Sequence, residues 1–263
     1  MRGLVRDCVV ELFARKTVYL FLAVTLVAVL LGLATGKASF EFHVEGNMDV
    51  DGVADFLRNP VTHVMNTFLS FLVFLAVLAT AGLVPGMLAR GRAEFYLSKP
   101  VSRTTLLLNK LFAVWGVYSF LILISGAVLY AVLVTIHGRF DWDVLYLPAL
   151  NLVSFFIWLS ITTVAGVLTG STAVSIMCAF LVWVAQLILS FHDQIRALVG
   201  SQVIGVIVDV LYYIFPKTGQ LGDITRGLAM GRPVDDWMVL CSSVAFAGAM
   251  LVVAVLVFNK KDY

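Results

Sequence analysis

Residues 106–136 read LLLNKLFAVWGVYSFLILISGAVLYAVLVTI, thirty-one residues with a single charged side chain, Lys110. About 20 apolar residues in a helix cross the hydrocarbon core of a bilayer, so this run is overlong for one crossing and must tilt or project. Comparable runs recur at 17–36, 61–88, 144–169, 173–191 and 238–258. The whole chain agrees with them. Of its 263 residues 61% are hydrophobic and 13% charged, against roughly 45–50% and about 25% in a soluble domain. Mean hydropathy is +0.99. These values exclude a soluble globular enzyme, a disordered chain and a nucleic-acid binder. They predict an all-α polytopic membrane protein with six transmembrane helices, forming one domain over residues 1–263. No loop between the runs is long enough for an independent soluble catalytic domain.

Charge orients the six runs. With both ends cytoplasmic, the inner segments hold eleven of the 18 basic residues and four acids, Asp7, Glu11, Glu94 and Asp262. The outer segments hold the other seven basic residues and twelve acids. The net charge of +2 thus divides into +7 inside and −5 outside, as the positive-inside rule requires. An odd number of spans would place the two basic ends on opposite sides. No cleavable signal peptide is expected, because no small-residue cleavage site follows the first apolar run.

Two inner segments carry more than charge. Residues 2–16 put Leu4, Val5, Cys8, Val9, Leu12 and Phe13 on one helical stripe, opposite Arg2, Arg6, Asp7, Glu11 and Arg15. That pattern predicts an amphipathic helix lying on the inner surface. The basic loop 89–105 places Phe95, Tyr96 and Leu97 on the water side of the membrane, beside Glu94. Lys99-Pro100 ends any helix there, and Ser102 is positioned to cap the next helix, which begins at Arg103. An apolar knob with a charged rim is the composition of a docking surface. Glu94, Phe95, Tyr96, Leu97, Lys99, Pro100 and Arg103 are its candidate residues.

This loop resembles the cytoplasmic loop of ABC-2-type transporter permeases. The matching residues are Glu94, Tyr96-Leu97, Ser98-Lys99-Pro100-Val101-Ser102-Arg103 and Lys110. The amphipathic start, the six spans, an apolar hairpin before the last span and the basic end Asn259-Lys260-Lys261-Asp262 extend the resemblance over the chain. The long second span, which starts with His63 and Asn66, departs from it. The resemblance implies a membrane subunit of an exporter that pairs with a second permease chain, most simply as a homodimer. Each chain would dock a separate ATP-binding subunit through the loop around Glu94–Arg103, in the inner or plasma membrane. ATP and Mg would bind on that partner ATPase, with no cofactor on this chain. Independently, no G-x-x-x-x-G-K-[ST] phosphate loop occurs in the sequence, so no enzymatic activity is expected of the chain itself. The rival readings are a non-transport membrane protein, either an intramembrane enzyme or an assembly scaffold, and a self-contained ion-coupled transporter.

Other chemistry is sparse. Cys8, Cys178 and Cys241 lie apart in apolar surroundings and read as small buried hydrophobes. The four histidines lack H-E-x-x-H spacing, and His43 with its acidic neighbours reads as a solvated loop rather than a metal site. Gly166 and Gly170 have the spacing of close helix packing. Pro85, between Gly82 and Gly86, predicts a kink in the second span. Residues 192–237 read as an outer helical hairpin. Its first part, 202–215, has only 14 residues, suits a re-entrant or interfacial helix and is stopped by Pro216; a weak helix follows at about 219–230. Polar groups are costly inside a membrane, so Asn66, Asn151, Gln186 and Asp209 stand out. The first three either bond to neighbouring helices or the dimer mate, or line a substrate path. Asp209 either lines the exit of a pathway or faces water.

Overall fold

The computed structural model describes residues 17–35, 60–88, 102–138, 140–191, 209–233 and 237–261. Among them every regular element is a helix. In chain order these are α1 (Thr17–Thr35), α2 (Pro60–Thr80), α3 (Leu83–Leu88), α4 (Arg103–His137), α5 (Tyr146–Thr169), α6 (Thr172–Leu189), α7 (Thr218–Ala229) and α8 (Met238–Lys260). A 3-10 turn, Trp142–Leu145, leads into α5. The amphipathic start at 2–16, the docking loop as far as Val101 and all of 192–208 lie outside the described residues.

Among the described residues five helical stretches are long and apolar enough to cross a membrane: Val61–Leu88, Arg103–His137, Trp142–Thr169, Thr172–Leu189 and Met238–Lys260. They match five of the six runs to within a few residues at each end. The first run forms α1, whose apolar segment Val18–Leu31 is shorter.

The helix α5 is the centre of the bundle. It packs against α2, α3, α4, α6, α7 and α8, while α1 lies outside on α4 and α2. An aromatic chain ties these layers together. Phe21 of α1 meets Tyr118 of α4 edge-on, 5.6 Å between ring centroids, and Tyr118 meets Phe155 of α5 at 6.2 Å. Thr25 of α1 also donates to Ser125 Oγ of α4 at 2.9 Å. Such a bond matters in a bilayer because lipid offers no hydrophobic drive between helices.

The second span is interrupted rather than smoothly kinked. Proline cannot donate to the carbonyl four residues back, and its ring crowds that carbonyl. For Pro85 that residue is Ala81, and the helix opens into a turn at 81–82 before resuming as α3. The break brings α3 against α5 at Gly166. A Cβ at Gly166 would lie 3.0 Å from Pro85 Cδ and 3.3 Å from both Val84 Cβ and Ser175 Oγ. Gly166 is therefore a packing glycine between three helices. Gly170 is not its packing partner: it caps α5 in the left-handed region at φ 65°.

The end of α4 and the start of α5 are marked by aromatic residues. Tyr130 Oη donates to the Asp141 carbonyl at 2.7 Å and accepts from the Asp141 amide at 3.0 Å, holding the turn after α4. Phe140 packs on Tyr130 and on Trp142. Amphipathic rings at the ends of spans suit the membrane–water boundary.

The cysteine reading is corrected. Cys241 is exposed and Cys178 half-buried, because the outward faces of α8 and α6 are as apolar as the faces inside. Cys8 lies outside the described residues.

Candidate functional site

Among the described residues two polar places stand out in the apolar bundle, one at the end where α4 begins, the inner end in the orientation expected from charge, and one toward the opposite, outer end. The inner one begins at Ser102. Its Oγ accepts from the Thr105 amide at 3.2 Å, the expected cap, which satisfies one of the free N–H groups at the start of α4. Arg103 then reaches across the bundle, and one guanidinium nitrogen donates to the Lys261 carbonyl at 2.8 Å. Asn259 Nδ2 donates to Thr104 Oγ1 at 2.9 Å. The Lys261 ammonium donates to the carbonyls of Val167 at 2.8 Å and Leu168 at 2.6 Å. Those carbonyls are among the last of α5, which have no partner within the helix and carry the negative end of its dipole. One corner thus joins the start of α4, the end of α5 and the end of α8.

Of the candidate docking residues, Arg103 is placed in this corner. Glu94, Phe95, Tyr96, Leu97, Lys99 and Pro100 lie outside the described residues. Lys110, the last residue of the loop pattern, is 8% exposed within α4. It borders a cavity of about 20 Å³ together with Thr80, Thr162 and Thr163, enough room for one water.

The outer place is a cavity of about 1380 Å³ between α2, α5, α6 and the segment from Tyr212 into α7. Along α6 its lining runs from Ile176 to Ser190, about 20 Å at the helical rise. Val73, Phe74, Trp158, Met177, Phe180 and Trp183 supply an apolar wall over most of that length. The outer end is polar. Pro216 follows the helical segment 209–214, and the next residue, Lys217, is fixed because its amide donates to Ser243 Oγ of α8 at 3.1 Å. The Lys217 side chain is folded inward. The residue is 8% exposed, and its ammonium lies 3.9 Å from the Tyr212 ring centroid and 4.9 Å from that of Tyr213. Among the described residues no carboxylate is within ion-pair distance of it.

Asn151 and Gln186, two of the four polar span residues, both line this cavity. Asn151 is engaged locally, Nδ2 donating to the Leu147 carbonyl at 2.9 Å. Gln186 Oε1 accepts from Thr218 Oγ1, which leaves Gln186 Nε2 buried with no hydrogen-bond partner. The other two polar residues are not in the lining. Asn66 sits near the start of α2 with Oδ1 buried and unpaired. Asp209 is half-buried at the start of the segment 209–214. Sequence reasoning counted Lys217 only as one outer charge and passed over Tyr212 and Thr218. The signal for all three was the Pro216 break, which turns the end of an apolar segment back into the bundle.

Among the described residues no group of three or more His, Cys, Asp and Glu side chains is arranged to hold a metal ion. The acidic loop around His43 lies outside them. No protein-family model matches this sequence, and no curated protein matches it.

Proposed function

We propose that this chain is the membrane subunit of an ABC exporter of the ABC-2 permease kind. It works as a dimer, couples to a separate ATP-binding subunit and carries no catalytic site of its own. The observation that carries this reading is the union of the 94–103 loop pattern with the corner directly behind it. Arg103 ends the loop and is braced through Lys261 to α5 and α8. A displacement imposed on the loop by an ATPase is therefore delivered to three spans together. In this reading α1 is the sixth crossing. Its 19 residues give a helix of about 28 Å, close to the ~30 Å hydrocarbon core. The +7 and −5 division then places both termini in the cytoplasm, with the chain in the cell membrane. In that orientation the polar end of the cavity, around Lys217 and Gln186, lies on the outer side, where an exported molecule would leave.

The test is copurification of ATPase activity with the detergent-solubilised chain, followed by Glu94→Ala and Leu97→Asp. Both substitutions alter the loop pattern itself, so each should reduce the bound ATPase about tenfold or more, the scale of one lost interface anchor. Stable association in both variants would remove the docking role of the loop. An activity or a defined assembly of the chain without any ATPase would favour the non-transport reading instead.

A further inference from the structure

We propose that the outer cavity is a binding site for an amphiphile with an anionic head and an apolar tail, and that Lys217 holds the head. The assignment as a binding site stands on the cavity alone. Its meaning as a transport site rests on the exporter reading above.

Three independent features at the polar end select an anion. The first is Lys217, nine-tenths buried and facing aromatic rings rather than a carboxylate. A buried cation stabilised by ring faces alone retains three N–H donors for a ligand. The second is Gln186 Nε2, a buried donor without a partner on the same lining. Buried polar groups are normally hydrogen-bonded, so this donor, enclosed beside the cavity, gains an acceptor if the side chain turns toward a ligand. The third is the start of α7. Thr218, Gly219 and Gln220 line the cavity, and the helix has no acidic residue in its first turn and no side-chain cap. Its free N–H groups and positive dipole end therefore face the same space.

The charge sum agrees. Among the described residues the charged ones in the lining are Lys217, Asp223 and Arg226, and Asp223 and Arg226 form an ion pair with each other. Lys217 is left as the net charge. The rest of the cavity decides what else the ligand carries. A free phosphate or other small anion would fill only the polar end. The remaining wall, about 20 Å long down α6 and made of Phe, Trp, Met and Val side chains, requires an apolar tail to cover it.

The experiment uses the full-length chain in nanodiscs of phosphatidylcholine alone and of phosphatidylcholine with phosphatidylglycerol. Lipid retained after transfer to neutral detergent is identified by native mass spectrometry. Inorganic phosphate and a long-chain fatty acid are added separately in thermal-shift measurements. The expected result is retention of phosphatidylglycerol over phosphatidylcholine by about tenfold or more, the scale of a charge-assisted hydrogen bond. The fatty acid should raise Tm and phosphate should not. Lys217→Met should abolish the preference. Gln186→Leu, which leaves every charge in place, should reduce it, and serves as the second variant if the first does not fold. Equal retention of the two lipids, or a preference unchanged in both variants, overturns the site. Stabilisation by phosphate to the same extent as by fatty acid overturns the amphiphile and leaves a small-anion site. Copurification of the ATPase, measured on the same preparations, is read separately. Its loss with lipid preference intact would overturn the exporter reading and not this one.

Discussion

The two lysines Lys261 and Lys217 occupy opposite ends of the bundle and opposite chemical situations. Lys261 donates to two helix-end carbonyls and carries on its own carbonyl the hydrogen bond from Arg103. Lys217 is more deeply buried, yet its ammonium faces two tyrosine rings and an open cavity. A cation that completes its bonds within the protein stabilises the fold. A cation buried without completing them costs stability, because desolvation is not offset. The inner end of the molecule is therefore built as a joint, and the proposed site makes the outer end a receptor.

The largest effect should come from separating the helices at the inner end. Gly166→Leu introduces a side chain where even a Cβ stands 3.0 Å from Pro85 Cδ. Proline cannot rotate away, so α3 must move off α5. Overpacking costs about 1–3 kcal/mol for a few added methylenes, and the whole leucine should exceed that range. The measurement is Tm in detergent together with protease sensitivity of the segment joining α3 to α4. An unchanged Tm would show that the three-helix contact is loose and that the inner end is not a joint. The next effect is Lys261→Met, which leaves two terminal carbonyls of α5 without their donor. With partial exposure the loss should be about 1–2 kcal/mol, toward the low end for charged hydrogen bonds. It is read as a fall in Tm and as faster amide exchange in the last turns of α5 and α8.

The same contrast explains what the sequence could and could not reveal. Crossing helices were legible because the bilayer imposes a length of apolar chain that nothing else explains, as in residues 106–136. The Ser102 cap was legible because it depends on residues three apart. The depth of each helix in the bundle was not. The apolar spans of α5 and α6 read alike, yet 56% of the first is buried and 11% of the second, since lipid and protein interior accept the same side chains. That equivalence also misled the reading of Cys241. The polar span residues stood out in the sequence as costly, but only tertiary packing brought Asn151 and Gln186 to one cavity and left Asn66 and Asp209 off its wall. Lys217 escaped notice because an isolated lysine in an outer segment has no pattern. Its meaning lies in tertiary contacts, the Ser243 bond that fixes its backbone and the two tyrosine rings beneath its ammonium.

The smallest effect is the most discriminating. Lys217→Met replaces a long charged side chain with a long apolar one that can still cover the Tyr212 ring. Loss of the cation–π contacts costs about 0.5–2 kcal/mol. Removing a buried charge that lacks a carboxylate recovers a comparable desolvation penalty, as replacements of buried ions by apolar residues often do. In neutral detergent without anionic lipid, Tm should therefore stay within about 1 kcal/mol of wild type in equivalent stability, or rise. The matched substitution at Lys261 should lower it. If Lys217→Met instead destabilised the protein as much as Lys261→Met, Lys217 would be part of the fold's own bonding and the outer end would be a second joint. A neutral or stabilising outcome leaves Lys217 a charge that the folded protein itself does not need, and a ligand is then the reason it is held there.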